Sequence, residues 1–127
     1  MNRFTGIIMV EGEPTEDGRL VAEGALQVDT LPIPLMVLKE FISGHAGAER
    51  CGDIERVYRS GSRLMAEGVC SLEPGVYGCG VDLDGSLACE MIGEVLTFTA
   101  GRVRGVTAYA DQATRPSHPE CLLTVTA

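Results

Sequence analysis

Three features are missing from this chain, and each absence removes a class of function. No stretch approaches the roughly 18 consecutive apolar residues of a membrane-spanning helix, and the opening Met1-Asn2-Arg3-Phe4-Thr5-Gly6 has no apolar run of signal-peptide length. The expectation is a protein made and kept in a cytoplasm, with no membrane partner. Clustered basic side chains are also lacking. Ten Lys and Arg stand against eighteen Asp and Glu, a formal charge of −8, which repels phosphate backbones and argues against nucleic acid as a partner. The third absence is paired metal-ligand cysteines. The five cysteines, at 51, 70, 79, 89 and 121, include no C-x-x-C pair, and a disulfide framework would leave one thiol over. They read as buried, reduced thiols acting as small apolar residues. No metal and no cofactor is expected.

What is present is a succession of short apolar segments separated by glycine-containing turns. The 127 residues suit a single domain, 1–127, built on one core. Phe4 to Val10 and Arg19 to Val28 read as strands, with a polar, turn-rich loop from Glu11 to Gly18 between them. In Leu31-Pro32-Ile33-Pro34 each proline forces its predecessor extended. Leu35, Leu38, Phe41 and Ile42 then recur at helical spacing, with Pro34 suited to a first turn and Gly44 to an end, which predicts one short helix near 35–42. Asp53 to Arg59 and Arg63 to Cys70 predict a hairpin across Ser60-Gly61-Ser62. Its second arm sets Leu64, Ala66, Gly68 and Cys70 on one face and Met65, Glu67 and Val69 on the other.

The stretch Gly78-Cys79-Gly80-Val81-Asp82-Leu83-Asp84-Gly85 alternates as a half-buried strand and ends in a dipeptide suited to a tight turn, from which Ser86 to Ile92 returns. Val95 to Thr99 and Arg102 to Tyr109 pair across Ala100-Gly101, Asp111 to Pro119 is a loop with two prolines, and Cys121 to Thr126 is a terminal strand. Seven or more strands with one small helix indicate an α+β, mostly β domain, a compact barrel or sandwich.

An ordered set of short motifs runs through most of the chain. Phe4-Thr5-Gly6 with Glu11-Gly12 is followed by Thr15-x-Asp17-Gly18-Arg19, Leu31-Pro32-Ile33-Pro34-Leu35 and Gly44-His45-x-Gly47-Ala48. Gly52-x-Ile54, Ala66-Glu67-Gly68 and Val81-Asp82-Leu83-Asp84 complete it. Together they resemble the prohead (capsid-maturation) proteases of tailed phages, in the form found in phages of actinobacteria; no single motif is specific. The resemblance implies a herpesvirus-assemblin-like β-barrel, a serine nucleophile and a histidine base, acting on scaffold and capsid proteins inside the immature shell. Carried over by position, His45 matches the catalytic histidine, and the serine position of the Gly-Val-Ser-Val-Asp-Leu type strand is Gly80.

Glycine has no side-chain atom with which to attack a carbonyl, so the acyl-enzyme route is closed at that position. Cys79 is the alternative nucleophile, yet as the neighbour of Gly80 on a strand it faces the other way unless a bulge shifts the register. Ser71, Ser86 and Ser117 are available hydroxyls, each in or beside a turn, and no third catalytic residue can be placed. Leu72-Glu73-Pro74-Gly75 also replaces a helix of the family, and the segment after Gly105-Val106-Thr107 departs from it.

The expectation is a non-enzymatic decoration, cement or minor capsid protein. It would reside in the virion, bind the phage major capsid protein as a homo-oligomer, and contact the shell through Cys121 to Thr126 or the prolyl stretch 31–34 added to a partner's sheet edge. The alternative is an active maturation protease using Cys79 or a displaced serine with His45.

Overall fold

The computed structural model describes residues 1–39, 47–84, 88–110 and 114–127. Among them are ten strands and no helix. They are β1 (Asn2–Val10), β2 (Arg19–Val21), β3 (Leu26–Val28), β4 (Ile33–Leu38), β5 (Glu49–Ser60), β6 (Arg63–Cys70), β7 (Gly75–Leu83), β8 (Ala88–Ile92), β9 (Val95–Tyr109) and β10 (Leu122–Thr126).

Seven of them close a barrel in the order β9-β4-β5-β6-β1-β10-β7 and back to β9. Closure buries one face of each barrel strand. Phe4, Ile8, Leu35, Ile54, Leu64, Val106, Leu123 and Val125 meet inside as one core. Along β6 the inward set is Leu64, Ala66, Gly68 and Cys70, as its alternation indicates.

β9 is the strand on which the rest is hung. Parallel β2, β3 and β4 lie in succession along it, pairing Val21 with Phe98, Val28 with Val103 and Leu35 with Val106. Antiparallel β8 and β7 pair with it as well, Cys89 opposite Phe98 and Gly80 opposite Thr107. Its fifteen residues run unbroken through Ala100-Gly101, where the sequence pattern predicts a turn. Here the Ala22–Ala25 segment lies alongside, the Gly101 N–H donates to the Ala25 carbonyl at 3.2 Å, and the backbone is paired without turning. The tight turn falls instead at Gly93-Glu94, with Gly93 at φ 64°.

Three further expectations are corrected. The helix placed near 35–42 is a strand through Leu38, and Phe41 and Ile42 lie outside the described residues. A continuous apolar run such as Ile33-Pro34-Leu35-Met36-Val37-Leu38 fits either period. Pairing with β5 and β9 on its two edges decides for the strand. The strand expected over Arg19 to Val28 is two, because Gly24 at φ 76° turns the chain and the Ala25 N–H closes onto the Ala22 carbonyl. Finally, β7 pairs with β9 and β10, and β8 with β9, so 78–83 and 86–92 do not form the hairpin that Asp84-Gly85 suggests. Gly85 lies outside the described residues.

Gly68 shows how closely the β5–β6 ladder packs. A Cβ there would lie 2.0 Å from the Asp53 carbonyl oxygen, a contact that only displacement of the ladder relieves. Gly68→Ala is expected to cost about 3 kcal/mol, the upper end for overpacking, read as a lowered urea midpoint. A midpoint within experimental error of the parent would show that the ladder yields freely.

Candidate functional site

One end of the barrel holds a cavity of about 290 Å³, bounded by β1, β7, β9, the Thr15–Arg19 loop and the segment before β10. Its walls are mostly apolar, and its polar residues include Thr15, Arg19, Tyr109, Ser117 and His118. Both residues at the centre of the resemblance, Cys79 and Gly80, border it.

Gly80 sits in regular register opposite Thr107, and Cys79 opposite Ala108; the bulge in this ladder comes later, between Asp82 and Leu83. Cys79 therefore turns into the barrel, where it is 1% exposed. Its Sγ donates toward the Ile7 carbonyl at 3.4 Å, with the Cys121 carbonyl at 3.6 Å. Burial pushes the thiol well above its ordinary range, and Cys121 adds to the shift. A protonated, enclosed thiol is a poor nucleophile. Cys121 is raised to about 12, by burial first and then by Glu120. Not all the cysteines are buried, as the sequence had suggested: Cys89 is exposed on β8.

An alkylating thiol reagent is thus expected to label Cys89 in the folded protein and to reach Cys79 and Cys121 only after denaturation, read by peptide mass mapping. Selective labelling of native Cys79 would contradict this placement.

His45 and Ser86 lie outside the described residues. Ser71 donates its hydroxyl to the Cys51 carbonyl at 3.3 Å, at the end of the β5–β6 ladder, and does not line the cavity. Ser117 does border the cavity, and its Oγ accepts from Arg19 Nη2 at 3.4 Å.

The Thr15-x-Asp17-Gly18-Arg19 motif acquires a structural reason. Gly18 takes φ 81°, the Thr15 hydroxyl donates to Asp17, and Arg19 Nε donates to Asp17 Oδ2 at 2.9 Å while its backbone N–H donates to Thr15 Oγ1. The Thr15 hydrogen bond first and Arg19 second hold the Asp17 carboxyl below its ordinary range. The motif is a clamp that fixes one lip of the cavity.

Sequence reasoning passed over His118, read only as part of a proline-containing loop. It is 4% exposed and stands in a turn closed by the Cys121 N–H donating to the His118 carbonyl at 3.0 Å. Its Nε2 lies 2.9 Å from the Glu13 carbonyl oxygen, and its Nδ1 is buried with no hydrogen-bond partner among the described residues. Pro119 beside it was the available signal, since proline after a polar residue commonly opens such a turn. Tyr109 is half-buried at the same cavity; burial first, and the neighbouring Cys79 and Asp82, raise its hydroxyl to about 12. Among the described residues no group of three or more His, Cys, Asp or Glu side chains is arranged to hold a metal ion.

Comparison with protein-family models, with curated proteins and with solved structures found no match to this chain.

Proposed function

We propose that this chain is a non-enzymatic structural component of a tailed-phage capsid, a decoration or cement protein built on a prohead-protease-like barrel that has lost its nucleophile. The ordered motifs of the sequence support the phage assignment. The observation that carries the loss of catalysis is Gly80 at the serine position, in undistorted register on β7, with Cys79 enclosed beside it.

The shell contacts first expected from the sequence need revision. β10 is paired on both edges, to β1 and β7, so Leu122 to Thr126 offers no free edge, and in 31–34 Ile33 and Pro34 are already paired with β5. On this reading the capsid contact falls to β8, which is exposed throughout, pairs only with β9 among the described residues and carries Met91 and Ile92 at 62% and 55% exposure. An open apolar edge of that kind suits strand addition by the major capsid protein.

The deciding experiment is the copy number of the intact chain in purified mature virions, by quantitative mass spectrometry. Stoichiometry with the major capsid protein or its symmetry sites is expected. Near absence from virions, together with cleaved scaffold, would favour a maturation protease instead.

A further inference from the structure

We propose that the segment added to β8 is an extended strand of a partner protein in which one basic side chain is flanked by apolar ones. This rests on the reading of β8 as the contact edge, whatever the partner's origin. Every residue from Ala88 to Glu94 is exposed, and among the described residues β8 is paired along one edge only, to β9. The other edge keeps its backbone donors and acceptors for an incoming strand. Edge strands are commonly protected by proline, lysine or a bulge, but Ala88 to Ile92 holds neither Pro nor Lys, and its bulge lies at the start, between Ala88 and Cys89. Glu90 is the one charge on the strand.

The side chains of β8 define the occupant. Cys89 and Met91 stand opposite Phe98 and Leu96 on one face of the β8–β9 ladder, an apolar strip, while Glu90, opposite Thr97, takes the other face. A strand laid along β8 therefore sets apolar residues against Cys89 and Met91, and the residue between them against Glu90. Charge decides what that residue is. From Gly80 to Gly101 the chain carries Asp82, Asp84, Glu90 and Glu94 and no Lys or Arg. Neither Glu90 nor Glu94 joins an ion pair among the described residues, and Arg102, the next cation along the chain, is held by Asp29 at 3.6 Å. A Lys or Arg opposite Glu90 is favoured, and a carboxylate there is repelled. The same charge disfavours a second copy of this chain. Two β8 strands fully overlapped about a two-fold axis set Glu90 against Glu90, between molecules that each carry −8.

The test titrates the isotope-labelled full chain with two cyclic β-hairpin peptides whose outer strands read Val-Arg-Val and Val-Glu-Val. Amide shifts centred on Cys89 to Glu94 are expected, with slowed exchange of the β8 N–H groups that point away from β9. The arginine peptide is expected to bind about fivefold tighter, a preference that shrinks in high salt. Equal affinities overturn the proposal, as do shifts centred elsewhere and no binding of either peptide at millimolar concentration. Glu90→Lys, at an exposed position, is expected to reverse the preference; an unchanged preference overturns the role of Glu90. Sedimentation of the chain alone identifies the other occupant: a concentration-dependent dimer that the peptide dissociates means that a second copy covers β8, and the proposal falls. The capsid reading fails separately. Binding of the arginine peptide by a chain absent from virions removes that reading and leaves this one standing, and a virion-borne chain without peptide preference does the reverse.

Discussion

A chain ending at Glu120 is expected to lose cooperative folding altogether. β10 occupies the slot between β1 and β7, pairing Phe4 with Val125 on one side and Tyr77 with Leu123 on the other. Its removal takes Leu123 and Val125 out of the core, each worth roughly 1.5–3 kcal/mol of burial. It also leaves two barrel strands with unpaired edges. The burial loss alone, about 3–6 kcal/mol, is comparable with the whole stability of a small domain, about 5–15 kcal/mol, and the lost backbone ladders add to it. Circular dichroism during heating is expected to show no sigmoidal transition for the truncated chain. A sharp melt near that of the full chain would mean that the barrel closes without its last strand.

Arg59→Ala is expected to cost about 3 kcal/mol at neutral pH. The Glu11 carboxylate is fully enclosed and accepts from Arg59 Nε at 2.8 Å and from the Leu26 N–H at 3.3 Å, while Arg59 Nη2 donates to the Leu26 carbonyl at 2.6 Å. Together the two side chains tie the start of β3 to β5. Removing the guanidinium leaves a buried charge uncompensated, for which 3–5 kcal/mol is usual; the lower figure applies because the Arg59 side chain is 42% exposed.

The effect has a pH signature. In the parent protein burial pushes the Glu11 carboxyl up, but the Arg59 hydrogen bond, the Leu26 and Gly24 backbone groups and the Arg59 charge outweigh it, and the net shift is downward from 4.5. A carboxyl depressed on folding contributes stability that is full above its unfolded value and is lost as pH falls through the lower folded value. Without Arg59 burial prevails and the direction reverses, so acidification favours the folded variant at this group. The gap between parent and variant urea midpoints is expected to be wide at pH 7 and to narrow toward pH 4. A gap independent of pH would show that Arg59 acts through packing alone.

The barrel was legible where alternation was clean. β6 places its inward residues where the pattern indicates, because two-residue periodicity with polar partners admits one reading. β4 misled for the opposite reason: six consecutive apolar residues carry no phase, and only the two neighbouring strands decide their conformation. Ala100-Gly101 looked like a turn because glycine permits one, but a segment from another part of the chain lay alongside and kept the strand extended.

The site was less visible. His45 drew attention through its motif, whereas His118 is defined by what surrounds it, a carbonyl at Nε2 and no hydrogen-bond partner at Nδ1 among the described residues. No sequence pattern encodes that. Thr15, Asp17 and Arg19 were read as a family motif, and their geometry shows a turn clamp. Glu11-Gly12 likewise combines an enclosed carboxylate with a turn glycine at φ 80°.

The pairing of Arg3 with Thr126, and of Leu35 with Val106, determines when this protein can fold. Hairpin β5–β6 can form as soon as it leaves the ribosome, with β1 added to β6 and β4 to β5, but β2, β3 and the second edge of β4 must wait for β9, and the second edge of β1 waits for β10. Structures dominated by such distant pairings fold slowly, because the entropy of closing long loops is spent before the contacts return it. Until β9 is made β4 exposes an apolar face and an unpaired edge, and until β10 is made β1 does so, the combination that drives aggregation. Chaperone binding during translation, more than final stability, is then expected to limit the yield of folded protein.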